Sequence, residues 1–258
     1  MFMNSDCEAY AKHNSYQFHI YTYLLSRIIP SIKECDNVLD VGCGDGNIIV
    51  LDKNHCIFAR IDIASESASK DILSAIKEGH IHHVVSSSCF HWIEDQPKAL
   101  ANLLKVINPR DSSINLILCY GTVDYMNYAT EKALNNQELS PYLKKLKEFH
   151  ELLLLPWRRA WMIEPDPIKA YKKMMIEVGY KEDGITIEKL DEFKYTFNHS
   201  SIIAIQASFP DVLAEIEKMG LKDQFFKQFI DDILEYNARH QGDKLMMPIS
   251  MMYVRYCS

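Results

Sequence analysis

The chain has 258 residues, 48% hydrophobic and 24% charged, with a formal net charge of −7. Such a length and balance fit one large α/β domain or two small ones in an ordinary soluble protein. The acidic surplus argues against general nucleic-acid affinity, because phosphate contacts need clustered Lys and Arg.

No apolar run approaches the roughly 20 residues of a membrane span. The opening M-F-M-N-S-D-C-E is polar and acidic, so no signal peptide is expected. Seven scattered cysteines without a C-x-x-C give neither a disulfide framework nor a zinc knuckle. A reducing, cytoplasmic setting is the simplest expectation.

Residues 1–31 read as a helix: Tyr10, Phe18, Tyr21, Leu24, Leu25 and Ile28 recur at helical spacing, and Pro30 ends the run. Asn14 and Gln17 lie a turn apart on one face, which by itself reads as a solvated polar stripe. Next comes V-L-D-V (Val38 to Val41), an apolar, β-branched run of the kind that forms a buried parallel strand. It leads into Gly42, Gly44 and Gly46. Glycine tolerates positive φ and has no Cβ, so such a turn folds tightly and lets a ligand lie against backbone.

Strand, glycine turn and helix start together make a nucleotide-type cofactor site at the carboxyl end of a sheet. The phosphate-binding alternatives fit less well. A P-loop needs a Lys-Ser or Lys-Thr pair, and the dinucleotide fingerprint would need glycine where Asn47 stands. Asp40, at the strand end, suits a cofactor amino group better than a pyrophosphate.

Cys56–Ile63 reads as a second buried strand with Asp62 at its carboxyl end, placed to accept from a ribose diol or an adenine amino group. The alternative for Asp62 is an N-cap or loop acid. Ser65–Lys77 is a polar helix stopped by Gly79. His80, His82 and His83 resemble a metal cluster, but strand alternation turns His83 away from the other two, and no nearby cysteine or acid completes a site. No metal is expected.

Val84–Phe90 is a third strand. The small Ser86, Ser87 and Ser88 allow close approach by a ligand, and Trp92 faces the same crevice as the glycine turn if the sheet is parallel, the alternative for it being ordinary core packing. Asp95–Ile107 is a helix with Leu100, Leu103, Leu104 and Ile107 inward, and Ile114–Tyr120 a fourth buried strand. Alternating strands and helices predict an α/β, Rossmann-like, mostly parallel sheet covered on both faces.

After Gly121 the texture becomes helical: Asp124–Leu134, Ser140–Leu155, Asp166–Val178, Asn198–Ala207 and Pro210–His240. Ile185–Phe197 supplies one or two antiparallel strands and Met251–Cys257 a closing strand. The stripe Phe225, Phe226, Phe229, Ile230, Ile233 reads as core. Residues 1–258 are thus expected as a single domain, with 32–121 as its cofactor-binding core and 1–31 and 122–240 as substrate-covering elements.

Several stretches together carry a resemblance: Tyr10 to Gln17 (Y-A-K-H-N-S-Y-Q), Val38 to Gly46 (V-L-D-V-G-C-G-D-G), Cys89 to Gln96 (C-F-H-W-I-E-D-Q) and Asp166 to Tyr180. The chain resembles the juvenile hormone acid methyltransferases of arthropods, within the class I S-adenosylmethionine-dependent methyltransferases. The resemblance implies methyl transfer from S-adenosylmethionine to the carboxylate of farnesoic acid or juvenile hormone acid. It also implies that Gln17 and Trp92 hold the acceptor carboxylate, and that Asp40, Gly42 and Gly44 line the methionine end of the cofactor. Cys43, Asp62 and Ser88 complete the cofactor-binding set.

An acceptor carboxylate is already a nucleophile at neutral pH, so no general base is required. Phe149, Leu153, Trp157 and Trp161 are candidate lid residues around a terpenoid chain, with Arg158 or Arg159 available to a second carboxylate. The expected partner is a small carboxylic acid, with no nucleic acid or membrane, for a monomer or homodimer.

One departure stands out. Between Gly46 and Trp92 the chain is short by roughly one strand and one helix. Asp62 is therefore either the ribose acid or the adenine-side acid, and the alternative functions are an impaired, acid-binding relative of the same fold or a methyltransferase for a different carboxylic acid.

Overall fold

A computed structural model describes residues 15–34, 36–42, 61–76, 79–120, 124–143, 160–190, 195–196, 214, 216–240, 246–247 and 250–258. They divide into two compact units. One comprises Gln17–Tyr120, Ala160–Asp191 and Ser250–Ser258, and the other Met1–Tyr16, Gly121–Arg159 and Glu192–Ile249. Ala160–Asp191 therefore groups with the sheet rather than with the other helices of the 122–240 stretch.

The first unit is built on a mixed five-stranded sheet in the order β1 (Val38–Asp40), β2 (His83–Ser87), β3 (Ser113–Tyr120), β7 (Ser250–Cys257), β4 (Ile185–Leu190). β1, β2 and β3 run parallel, and β7 is antiparallel to both β3 and β4. The buried strand β3, S-I-N-L-I-L-C-Y, is covered on both faces, which is why its apolar residues run together rather than alternate. This is the Rossmann-like α/β class expected.

Helices α1 (Ser15–Ile28, from Gln17 onward), α2 (Ala68–Ala75), α3 (Gln96–Val106) and α6 (Pro167–Val178) belong to this unit. α3 starts where Asp95 accepts from Lys98 N–H at 3.0 Å and Pro97 occupies the first turn, where its missing donor costs nothing. Its Leu100, Leu103 and Val106 are fully buried. α6 is framed in the same way by Asp166 and by Gly179, whose φ of +115° closes a Schellman turn through Tyr180 N–H to Met175 C=O.

Trp161, expected in a lid, is instead core: it is buried edge-on against Tyr171 at 4.8 Å in the sheet unit. Phe149, Leu153, Trp157, Arg158 and Arg159 lie outside the described residues, as does Asn198–Ala207.

Some boundaries differ from expectation. Helix α1 gives way to a 3₁₀ turn at Ile29–Ser31 that contains Pro30 in its first positions. Of the expected strand Cys56–Ile63, residues 56–60 lie outside the described residues, and Ile61 and Asp62 are not strand but the approach to a turn beginning at Ile63.

The second unit contains α4 (Asp124–Asn135), α5 (Ser140–Leu143), α7 (Lys222–His240) and a small antiparallel ladder of β5 (Tyr195–Thr196) and β6 (Met246–Met247). Ala129 and Ala133 of α4 and Phe225, Phe229 and Ile233 of α7 are buried. Lys132 Nζ joins Asp232 at 3.1 Å and Glu235. The expected long helix Pro210–His240 is interrupted. Gly220 takes φ +71°, and Leu221 N–H returns to Ile216 C=O, a Schellman closure before α7 begins. Among the described residues no helix is long and apolar enough to cross a membrane.

Candidate active site

The carboxyl ends of β1 and β2 lie side by side. Val41 N–H extends the parallel ladder to Val85 C=O at 2.8 Å, and Ser86 Oγ donates to Val41 C=O at 2.8 Å. These two bonds pin the backbone where the chain leaves β1. Gly42 follows with φ +88°, a conformation that a side chain disfavours. A Cβ on Gly42 would stand 2.2 Å from Cys89 Sγ and 2.4 Å from Cys89 Cβ. Gly42 thus serves first as the seat for Cys89, a packing role beyond the ligand approach foreseen for it. Cys43 and Gly44 lie outside the described residues.

On β2 the chain turns sharply. Ser88 has φ +54°, the left-handed region that serine rarely enters, and its N–H bonds Ile117 C=O at 3.1 Å. Such strain persists where the surroundings over-determine it, and it gathers at binding sites. The Oγ atoms of Ser87 and Ser88 are buried and, among the described residues, have no hydrogen-bond partner. Buried hydroxyls without partners cost on the order of 1–3 kcal/mol each unless a ligand or water answers them.

Beyond Cys89 a 3₁₀ turn, Phe90–Trp92, is closed by Trp92 N–H to Cys89 C=O at 2.9 Å. Phe90 and His91 are buried and Trp92 half-buried, its ring 5.4 Å from that of His91. Gln96 holds this turn from the start of α3, its Nε2 donating to Phe90 C=O at 3.2 Å. Trp92 is therefore tied, through Cys89, to the glycine corner.

Asp40 ends β1, half-buried, with its Oδ2 accepting from the Tyr21 hydroxyl at 2.6 Å. Burial pushes the Asp40 carboxyl up to about 6, while the Tyr21 hydrogen bond works in the other direction. Gln17 lies in α1, one turn before Tyr21.

Asp62 is exposed, and its Oδ1 accepts from Ala64 N–H at 3.1 Å while its carbonyl accepts from Ser65 N–H at 2.9 Å. Asn102, 2% exposed, grips the same turn through Ile63 C=O and Ser65 C=O, both at 2.9 Å. Here the loop-acid geometry prevails over a strand-end acid. The structure thus brings Asp40, Gly42, Ser88 and Trp92 to adjoining strand ends. Tyr21 and Cys89 join them, and neither was marked: one read as part of an apolar stripe, the other as one scattered cysteine.

No protein-family model matches the chain. It is 19% identical over 201 residues to the juvenile hormone acid O-methyltransferase of Drosophila melanogaster, covering 76% of this chain and 61% of that protein. To the Bombyx mori protein of the same name it is 22% identical over 225 residues, covering 78% of this chain and 73% of the relative. The chain resembles arthropod juvenile hormone acid O-methyltransferases.

Among solved structures, the YcgJ protein of Bacillus subtilis is similar at 13% identity, covering 92% of this chain and 98% of that one, with a TM-score of 0.46. The chain spans about three fifths of the Drosophila relative's length. Its metal expectation changes in one detail. Strand β2 begins only at His83, so alternation does not govern His80–His82, and an acid is at hand: Asp36 Oδ2 lies 2.9 Å from His83 Nε2.

Proposed function

We propose that the chain is an S-adenosylmethionine-dependent methyltransferase acting on the carboxylate of a small apolar acid of the farnesoic acid or juvenile hormone acid type. The observation that carries this reading is the cluster at one sheet edge: a half-buried carboxylate, a left-handed glycine and two buried serine hydroxyls without partners among the described residues. Those groups fit the cofactor. Asp40 would take its amino group, Gly42, Cys43 and Gly44 would bound its methionine end, and Ser88 and Asp62 would serve its nucleoside.

The bound cofactor supplies a sulfonium methyl. Gln17 and Trp92 would hold the acceptor carboxylate through amide and indole N–H groups and so orient it for transfer. Orientation of this kind lowers a barrier by as much as about 7–11 kcal/mol. An ionised carboxylate needs no base, since an unperturbed carboxyl titrates near 4. The relatives' name and the fit of these residues support the reading.

Transfer of labelled methyl to farnesoic acid tests it, with Gln17→Ala and Trp92→Phe as controls. Product formation that both substitutions reduce by tenfold or more is expected. Activity indifferent to both removes the acceptor assignment.

A second reading is an acid-binding protein without turnover. Two observations favour it: Cys89 fills the space beside Gly42, and Asp62 is engaged by its own loop. Calorimetry with S-adenosylhomocysteine separates the two, because absence of heat at millimolar ligand selects the binder.

A further inference from the structure

Tyr21 is 8% exposed, and its neighbours in α1 (Ile20, Leu24 and Ile28) are buried to 2% exposure or less. The ring is therefore held by the apolar face of the helix. Its hydroxyl reaches across to Asp40 Oδ2, 19 positions later in the chain, at 2.6 Å. Among the described residues this is the hydrogen bond that Asp40 receives.

Among the described residues, burial and the Tyr21 hydroxyl are the influences that act on the Asp40 charge. Its strand neighbours are Leu39 and Val41, and its partner across the ladder is Val85. A carboxylate in such company pays for its charge in lost hydration, and one phenol is the group that offsets it. With Oδ2 taken by the phenol, and no bond to Oδ1 among the described residues, Oδ1 is left for a second donor.

We propose that Tyr21 is a positioning residue: its hydroxyl orients Asp40 and sustains the negative charge that receives the amino group of the cofactor. The proposal rests on the methyltransferase reading and deepens it. Burial alone drives Asp40 toward its neutral form, which cannot pair with an ammonium. The phenol opposes that drift, and it does so without filling the site, because it approaches from α1.

The test is calorimetric titration of S-adenosylhomocysteine from pH 5 to 8 in the full chain and in Tyr21→Phe. In the parent chain affinity is level at high pH and falls, by up to tenfold per pH unit, as Asp40 gains its proton near 6. Tyr21→Phe keeps the ring and removes one hydroxyl. The midpoint of the fall is expected to move up by roughly one pH unit, the worth of one charge-assisted hydrogen bond. Asp40→Asn is expected to abolish the inflection.

An unmoved midpoint in Tyr21→Phe overturns the proposal, including the case of uniform weakening at every pH. A cofactor-free readout keeps the two readings apart. The Asp40 carboxyl is titrated by carbon-detected NMR in the ligand-free protein, with thermal melting to verify the fold of the variant. An upward move in Tyr21→Phe supports Tyr21 even in a chain that takes no S-adenosylhomocysteine, which would sink only the methyltransferase reading. An unmoved titration sinks Tyr21 in either case.

Discussion

The two ends of the parallel strands carry similar residues and treat them oppositely. At the amino end, Asp36 Oδ2 accepts from Lys33 N–H at 2.8 Å and from His83 Nε2 at 2.9 Å. His83 Nδ1 lies 2.9 Å from Ser113 Oγ, which accepts from Asn115 Nδ2 at 2.8 Å, and Tyr253 donates to Asn115 Oδ1 at 2.7 Å. The acceptor-only carboxylate fixes the direction of this chain of bonds. His83 therefore donates from Nε2, and Nδ1 pairs with the Ser113 hydroxyl.

Burial works against the charge on Asp36, yet the Lys33 and His83 donors hold its carboxyl below the usual range. Among the described residues, Asp40 at the carboxyl end has one donor and is pushed up to about 6, and two serine hydroxyls there have none. The lesson is that polar residues at the amino end are spent on the fold. Those at the carboxyl end are left with bonding capacity, which is where α/β sheets bind ligands.

The largest effect expected at the carboxyl end comes from Gly42→Ala. The new methyl would fall 2.2 Å from Cys89 Sγ on a backbone at φ +88°, so strain and overpacking add to about 3–5 kcal/mol. Urea denaturation reads the loss, and calorimetry is expected to show no S-adenosylhomocysteine binding. Adding Cys89→Gly should restore part of the stability, because the clash goes and only the backbone strain stays. A Gly42→Ala variant as stable as the parent would mean the corner is not packed as described.

At the amino end His83→Ala is the matching break. It strips Asp36 and Ser113 of a partner in a buried network, at a cost of about 2–3 kcal/mol. Ligand affinity of the folded protein is expected to stay within twofold. A large loss of affinity with little loss of stability would erase the distinction between the two ends.

Asp40→Asn sharpens the contrast through pH. The carboxyl titrates near 3.8 when unfolded and at about 6 when folded. The charged form therefore costs stability fully above about pH 6, and that cost vanishes as pH falls below about 4. The amide escapes it and still accepts from Tyr21. Melting at pH 8 is expected to favour Asp40→Asn by about 1–2 kcal/mol after allowance for partial exposure, with no gain at pH 4. Cofactor affinity is expected to be lost. A gain at both pH values would show that desolvation of the charge is not the cause.

How far these ends could be read from the sequence depends on the range of the signal. V-L-D-V-G announced β1 and its turn, and Asp95 with Pro97, and Asp166 with Gly179, announced α3 and α6, because caps and glycine stops act within a turn or two of chain. The same short range misled at Asp62, where an Asx turn to Ala64 looks like a strand-end acid until the backbone is seen. It also failed at Gly220, whose breaking role was masked by apolar periodicity on both sides. Tyr21 with Asp40, Asp36 with His83 and Cys89 with Gly42 are contacts across 19, 47 and 47 positions. No local pattern marks them. Ser88 offers no cue either, since nothing in S-S-S-C predicts which serine takes the left-handed turn.

The smallest effects compare the two ends most directly, because one substitution can be made at both. Ser113→Ala removes a hydroxyl that His83 and Asn115 both use, and is expected to cost about 1–2 kcal/mol with both partners left unmet. Ser87→Ala removes a buried hydroxyl without a partner among the described residues. Its desolvation is a cost already borne by the fold, so the change is expected to be neutral or stabilising by up to about 1 kcal/mol. The same substitution should weaken S-adenosylhomocysteine binding severalfold, because the unspent hydroxyl is then missing from the ligand's side. Opposite signs in chemical denaturation, with ligand affinity moving only for Ser87→Ala, are what a sheet divided into a structural end and a binding end requires. Equal costs at both positions would mean that Ser87 has a partner within the protein after all.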